Sequence, residues 1–211
     1  MPALARTVLW VAAYVFASLL GRIIVVQPHS VGVVWPASGI AFVWLASAHH
    51  RQQLITDTVL LSVCTMVVIA LTDGGALRST LALLSVVQTL VALWLIRRWV
   101  PNIWGSGGRE AISNLNQFGR ILAAVAIGAL AMAVLRTVLG ILLVPGDEWS
   151  LAIGRWGRNA TAMGTIGVFG LLLGGWMDEK HERGQPVFNP PSRNDLLHGT
   201  GVLALTAAAS G

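Results

Sequence analysis

Long apolar runs constrain this chain more than any other feature of its sequence. Six runs are between 18 and 24 residues long, close to the ~20 residues that an α-helix needs to cross a bilayer. They cover residues 7–26, 30–48, 54–71, 79–96, 121–144 and 159–176. A soluble domain of 211 residues could not bury six such segments. Because lipid offers the backbone no hydrogen-bond partners, we predict an all-α, polytopic transmembrane helix bundle.

The composition and the placement of charge agree with a membrane protein. Hydrophobic residues make up 55% of the chain and charged residues 11%, against roughly 25% charged residues in soluble domains. The net charge of +5 lies mostly in short loops at the ends of the apolar runs, so no nucleic-acid partner is expected. Most Lys and Arg residues fall on the same side as the N-terminus, which is therefore predicted to be cytoplasmic.

A seventh apolar run begins at Leu196 and stops at Gly211, short of a full span. We interpret the chain as six complete spans plus a truncated seventh, with residues 1–211 forming the N-terminal part of a longer protein. The single cysteine, Cys64, excludes an intrachain disulfide, and no residue pattern indicates a metal site. No catalytic motif occurs, so this segment is predicted not to be an enzyme, and no cofactor is expected.

Small residues recur on one face of two predicted helices. They are Ala13, Ala17 and Gly21 in the first run, and Gly164, Gly167, Gly170 and Gly174 in the sixth. Small faces let helix backbones approach closely in lipid. We interpret them as packing surfaces within the chain, with a dimer face as the alternative. Tryptophans near the ends of the runs, such as Trp104, are interpreted as interfacial anchors.

Polar side chains inside an apolar run are costly in lipid, and each is a candidate functional group. The candidates are Arg22, Asp57, Gln88, Arg136, Arg158 and Asn159. Arg136 is the strongest because it lies deep in the fifth run, where it could bind an anionic ligand through its guanidinium fork or snorkel to the interface. Together with Arg158 and Asn159, Arg136 is predicted to form a polar centre. Asp57 lies near the end of its run and is expected to reach water.

The most distinctive segment is VVWPASGIA at residues 33–41. Proline is tolerated in the first turn of a helix because the N–H that it lacks has no partner there. Ser38 and Gly39 then allow another backbone to approach closely. Trp35, Pro36, Ser38 and Gly39 are therefore candidates for a hinge or the edge of a ligand site at the outer face, and a simple helix start is the alternative.

The longer pattern VVWPASGIAFVWL resembles the signature of the membrane-associated sensor domain of type one, a bacterial integral-membrane sensory domain of about eight predicted helices. The resemblance extends to the run WGRNA, which contains Trp156, Arg158 and Asn159. It implies an input module in the bacterial inner (plasma) membrane, joined to a cytoplasmic output domain such as a histidine kinase or a cyclic-di-GMP enzyme. It also implies a homodimer that responds to a small molecule or to another membrane protein.

Three functions stay open at this point. A signal-transduction sensor is favoured, because eight helices that begin in the cytoplasm would also end there, where an output enzyme must lie. A small-solute transporter or channel is the first alternative, since broken helices and buried charges are typical of transporters. A passive membrane anchor is the second.

Overall fold

The computed structural model describes residues 3–23, 25–26, 31–32, 34–72, 75–143 and 150–183. The described helices are α1 (Ala3–Ile23), α2 (Pro36–Ala46), α3 (Arg51–Thr72), α4 (Ala76–Ala82), α5 (Leu84–Trp99), α6 (Leu115–Leu143), α7 (Ser150–Ala162), a π-helical segment (Met163–Gly167) and α8 (Val168–Glu182). Two short strands, β1 (Val25–Val26) and β2 (Val31–Gly32), form an antiparallel pair between α1 and α2. The prediction of a predominantly helical chain is confirmed, and several of its described helices are long and apolar enough to cross a membrane.

Among the described residues, five helical stretches are long and apolar enough to cross a membrane, whereas six complete spans were predicted. They are Leu4–Ile23, Arg51–Thr72, Ser79–Trp99, Leu115–Leu143 and Ala152–Glu182. Within the run at residues 30–48 the described helix is only the 11-residue α2, because Val31–Gly32 form β2 and Pro36 occupies the first turn of the helix. The truncated seventh run lies outside the described residues, and the cytoplasmic location of the N-terminus stays a prediction.

The short helix α2 is the most buried helix of the described chain. Nine of its eleven residues are buried, and Phe42, Trp44 and Leu45 have no exposed surface. It packs against α1, α3, α5, α7 and the π-helical segment. A helix that is apolar on all sides is stable only when it is surrounded, and here protein covers most of it.

Helix α2 runs antiparallel to α1, as contacts at both ends show. Gly21, near the end of α1, lies against the ring of Trp35, which precedes α2. Arg6, near the start of α1, donates a hydrogen bond of 2.9 Å to the hydroxyl of Ser47, which follows α2. Arg6 also binds both carboxylate oxygens of Asp57 on α3, at 2.9 and 3.3 Å. The expectation that Asp57 reaches water is wrong, because its side chain is 3% exposed and paired.

Several helices differ from their predicted extent. Helix α7 begins at Ser150, whereas the sixth run was predicted from residue 159, so Trp156, Arg158 and Asn159 lie within a helix. Arg155 and Arg158 lower the hydropathy of this segment without lowering its helix propensity, since arginine is a good helix former. Helices α4 and α5 form one apolar stretch that is interrupted at Leu83.

The loop between α5 and α6 folds back on the end of the last apolar stretch. The backbone N–H of Trp104 donates to the carbonyl of Glu110 at 2.9 Å, and that of Glu110 donates to Asn102 at 3.0 Å. The indole of Trp104 covers Gly174, where an added Cβ would lie 2.5 Å from the ring. Gly105, which has a φ of +85°, fits between Ala46 and Leu171. The loop therefore contacts both the end of α2 and α8.

The chain divides into two compact units, Met1–Trp176 and Met177–Gly211. The first contains all the helices except the last residues of α8. Residues 177–183 are the described part of the second unit. They contain an exposed ion pair of 2.6 Å between Arg183 and Glu179, one helical turn apart.

Candidate functional site

The start of α2 is held by hydrogen bonds within its own first turn and by one bond to α7. The backbone N–H and the hydroxyl of Ser38 both donate to the carbonyl oxygen of Trp35, at 3.0 and 2.7 Å. The backbone N–H of Trp35 donates to the carbonyl of Arg158 on α7 at 3.4 Å. Pro36 needs no partner for its nitrogen and fits the first helical position. The predicted rigid start of α2 is thus bonded directly to a later helix.

The indole of Trp35 contacts two arginines from different helices. The guanidinium carbon of Arg158 lies 5.1 Å from the ring centroid, and that of Arg22, on α1, lies 5.8 Å away. Both distances are within the ~6 Å range of cation–π attraction. Gly21 leaves room for the ring, since a Cβ there would lie 3.1 Å from it. We call Trp35, Arg22 and Arg158 the Trp35 stack; it joins α1, the start of α2 and α7.

Gly39 brings α2 into direct contact with the last helical stretch. A Cβ added at Gly39 would lie 2.6 Å from both the carbonyl oxygen of Ala162 and the Cβ of Ile166. Ala162 ends α7, and Ile166 belongs to the π-helical segment. Only glycine allows this approach, because the nearest neighbours include backbone rather than flexible side-chain ends.

The glycines predicted as packing positions in the last stretch face several partners. Gly167 lies against the ring of Phe42 and Gly170 against the side chain of Val43, both on α2. Gly174 lies under Trp104, as described above. Gly164 has only an ordinary contact of 3.5 Å, with Leu122 on α6. In α1, Ala17 is 5% exposed and belongs to the core, whereas Ala13 is half-buried.

A cluster of amides and thioethers lies inside the bundle beside the π-helical segment. The Nδ2 of Asn159 donates to the Oε1 of Gln88 at 3.1 Å and lies 3.8 Å from the sulfur of Met132. The Nε2 of Gln88 lies 2.7 Å from the sulfur of Met163. We call these four residues the amide cluster. It links α5, α6, α7 and the π-helical segment.

The amide cluster leaves one acceptor without a partner in the described part of the chain. Asn159 is 2% exposed and Gln88 is 1% exposed, yet the Oδ1 of Asn159 accepts no hydrogen bond there. A buried, unsatisfied acceptor costs about 1–3 kcal/mol. A rearrangement that gave this oxygen a donor would therefore be favourable by a similar amount.

The structure separates the three residues that were predicted to form one polar centre. Asn159 joins Gln88 in the amide cluster, whereas Arg158, its neighbour along α7, stacks on Trp35. Adjacent helical residues point about 100° apart, which explains the separation. Arg136 is half-buried on α6, next to Thr137, whose hydroxyl accepts a hydrogen bond of 3.2 Å from Arg155.

Trp156 takes a different position from Trp35. Its indole N–H donates to the carbonyl of Ala126 on α6 at 3.1 Å, and 38% of its surface is exposed. Trp156 therefore links α7 to α6 by a hydrogen bond on the outside of the bundle. Trp35, Pro36, Ser38, Gly39 and Arg158 therefore lie at the start of α2 and its contacts with the last stretch, whereas Asn159 belongs to the amide cluster and Trp156 contacts α6.

A small cavity adjoins the ring of Trp35 on the side of α1, α3 and α5. It leaves roughly 10 Å³ for the centre of a water molecule, enough for about one water. Tyr14, Ser38 and Ser85 contribute polar groups to its lining. Among the described residues, no group of three or more His, Cys, Asp or Glu side chains is placed to hold a metal ion.

No protein-family model, curated protein or solved structure matches the chain. Its function therefore has to be inferred from the residues themselves.

Proposed function

We propose that residues 1–211 are the membrane-embedded sensory input domain of a bacterial signal-transduction protein of the inner membrane. In this proposal a stimulus at the start of α2 changes the position of the last helical stretch, which leads to a cytoplasmic histidine kinase or cyclic-di-GMP enzyme beyond residue 211. The resemblance of VVWPASGIAFVWL to the signature of the sensor-domain family supports the same assignment.

One observation carries the proposal: the start of α2 contacts the last helical stretch at several consecutive points. Trp35 contacts Arg158, and Gly39 contacts Ala162 and Ile166. A shift of the tryptophan therefore acts on α7 and the π-helical segment through backbone contacts rather than through flexible side chains. Close-packed interfaces of this kind move between discrete arrangements instead of deforming continuously.

The amide cluster and the π-helical segment supply an element with two arrangements. Single π turns inside α-helices occur frequently at functional sites. The unsatisfied Oδ1 of Asn159 lies one turn before this segment, so the described arrangement is not the best one for its hydrogen bonds. A stimulus needs only to favour one arrangement over the other by its difference in affinity for the two.

The loop between α5 and α6 contacts α8, the helix along which the signal would pass to the output enzyme. Trp104 covers Gly174, seven residues after the π-helical segment, and Gly105 touches Leu171. A movement of α8 therefore changes the contacts of this loop, which also touches the end of α2. In this proposal the signal passes along α8, and the loop stabilises the position that α8 has without the stimulus.

The small cavity beside Trp35 limits the size of any stimulus that could bind inside it. Room for about one water beside Trp35 is too little for a metabolite. We therefore propose that the stimulus acts on the outer ends of α1, α2 and α7, either as a small molecule that displaces an arginine from Trp35 or as a neighbouring membrane protein.

The test uses the full gene product with its cytoplasmic output enzyme, assayed in membranes for phosphorylation or cyclic-di-GMP turnover. Arg158→Gln removes one cation–π contact, worth about 0.5–2 kcal/mol, and should change the output about two- to thirtyfold. Arg51→Gln, an exposed arginine at the start of α3, is the matched control.

Equal output from both variants at equal membrane abundance would remove the Trp35 stack from the proposal. A gene that encodes no output enzyme, combined with solute uptake into vesicles containing only this protein, would favour the transporter alternative. Regulated output that survives replacement of residues 1–211 by an unrelated membrane anchor would favour the anchor.

A further inference from the structure

Three arginines occur where α5 ends and α6 begins. Arg97 and Arg98 occupy the last turn of α5. Arg120, in the second turn of α6, donates a hydrogen bond of 3.1 Å to the carbonyl oxygen of Trp99. That bond brings the guanidinium of Arg120 to the same end of α5 as the other two. We call Arg97, Arg98 and Arg120 the arginine cluster.

The positive charge of the arginine cluster is not matched by the described protein. None of the ion pairs among the described residues involves Arg97, Arg98 or Arg120. The Nε of Arg97 is buried and has no hydrogen-bond partner there. The carbonyl end of α5 contributes about half of one negative charge, which leaves an excess of more than two positive charges.

An apolar strip of α5 leads away from the arginine cluster along the outside of the bundle. Val87, Trp94 and Arg98 are seven and four residues apart and therefore share one face of the helix. Val87 is 46% exposed and Trp94 is 65% exposed. Exposed tryptophan near the end of a span is typical of the level of lipid headgroups, and an acyl chain could lie along this face.

We infer that the arginine cluster is a binding site for the phosphate group of an acidic phospholipid. Guanidinium groups hold phosphate oxygens through paired hydrogen bonds, and an anion here would offset three like charges at this end of α5. The apolar strip below Arg98 selects a lipid over a free phosphate ion, because only a lipid also covers Val87 and Trp94.

The test measures lipid binding to the purified 1–211 chain in detergent by native mass spectrometry. The probes are dioleoylphosphatidylglycerol, the zwitterionic dioleoylphosphatidylcholine, and inorganic phosphate. One basic residue beside an anionic lipid is worth about a factor of five in affinity. Arg98→Gln should therefore weaken phosphatidylglycerol binding about fivefold, and Arg97→Gln/Arg98→Gln/Arg120→Gln on the order of a hundredfold.

Arg51→Gln is the control, because Arg51 is exposed like Arg98 but lies at the start of α3. We expect it to change the affinity less than twofold and phosphatidylcholine binding to be the same in all variants. Equal losses in Arg98→Gln and Arg51→Gln would overturn the site in favour of diffuse surface charge. Phosphate that competes with phosphatidylglycerol at similar concentrations would overturn the lipid assignment. If the triple variant loses its helical circular dichroism, the exposed Arg98→Gln alone decides.

Discussion

Replacing Gly39 by alanine tests the contact on which the proposed signal path depends. The added Cβ would lie 2.6 Å from the carbonyl oxygen of Ala162 and from the Cβ of Ile166, closer than real Cβ atoms come to a neighbour. Neither atom is a flexible side-chain end, so α2 and the last stretch must move apart. Overpacking of this kind costs about 1–3 kcal/mol, while alanine gains about 0.8–1 kcal/mol in helix propensity. The net loss of stability should therefore be up to about 2 kcal/mol.

Gly157→Ala is the matched control for Gly39→Ala. Both glycines lie inside helices, but a Cβ at Gly157 meets nothing within 4 Å. This variant should keep the full propensity gain and be stabilised by about 0.8–1 kcal/mol. Because both variants have this gain, they should differ by the overpacking cost alone, about 1–3 kcal/mol.

The assay is unfolding of the purified chain in mixed micelles with increasing dodecyl sulfate, followed by far-ultraviolet circular dichroism. Gly39→Ala should unfold at a lower detergent fraction than the wild type, and Gly157→Ala at a higher one. If the two variants unfold together, α2 does not contact the last stretch at Ala162. The proposed relay from Trp35 to α8 would then lack a path.

Three further predictions concern charged and polar groups. In a double-mutant cycle, Asn159→Ala and Gln88→Ala should show a coupling free energy of about 0.6–1.7 kcal/mol in the same unfolding assay; additive effects would contradict their hydrogen bond. Asp57→Leu removes the carboxylate partner of Arg6 and should lower the free energy of unfolding by about 2–3 kcal/mol, a figure reduced because Arg6 is partly exposed. Adding Arg6→Leu should recover most of this loss. Arg136→Ala should alter the output of the full gene product while membrane abundance persists; an unchanged output removes Arg136 from the sensing residues.

Most of the helical architecture follows from hydropathy, because long apolar runs have few other stable structures in lipid. Hydropathy failed at α2, where the run was long enough but the helix begins only at Pro36, about a third of the way along the run. It failed again at α7, where Arg155 and Arg158 reduce the mean hydropathy of a segment that is nonetheless helical. Both errors arise because hydropathy measures the cost of transfer to lipid and not the start of a helix.

Part of the candidate site could be found from the sequence and part could not. The segment from Trp35 to Gly39 stood out because tryptophan, proline and glycine restrict the backbone and its packing. The partners of Asn159 did not: Met132 and Met163 resemble ordinary core residues, and only the three-dimensional arrangement brings their sulfurs to an amide. Trp104 was interpreted as an interfacial anchor, whereas the structure places its indole on Gly174.

The π-helical segment has a geometric consequence for everything that follows it. It contains one residue more than an α-helix would need over the same length. If this extra residue were taken up into regular α-helix, the start of α8, from Val168 to Trp176, would turn by about 100° about the helix axis and shift along it by about 1.5 Å. Such a turn would carry Gly170 and Gly174 away from Val43 and Trp104, and larger side chains would meet those surfaces. The contacts of Gly170 and Gly174 therefore fix the rotation of α8 about its own axis.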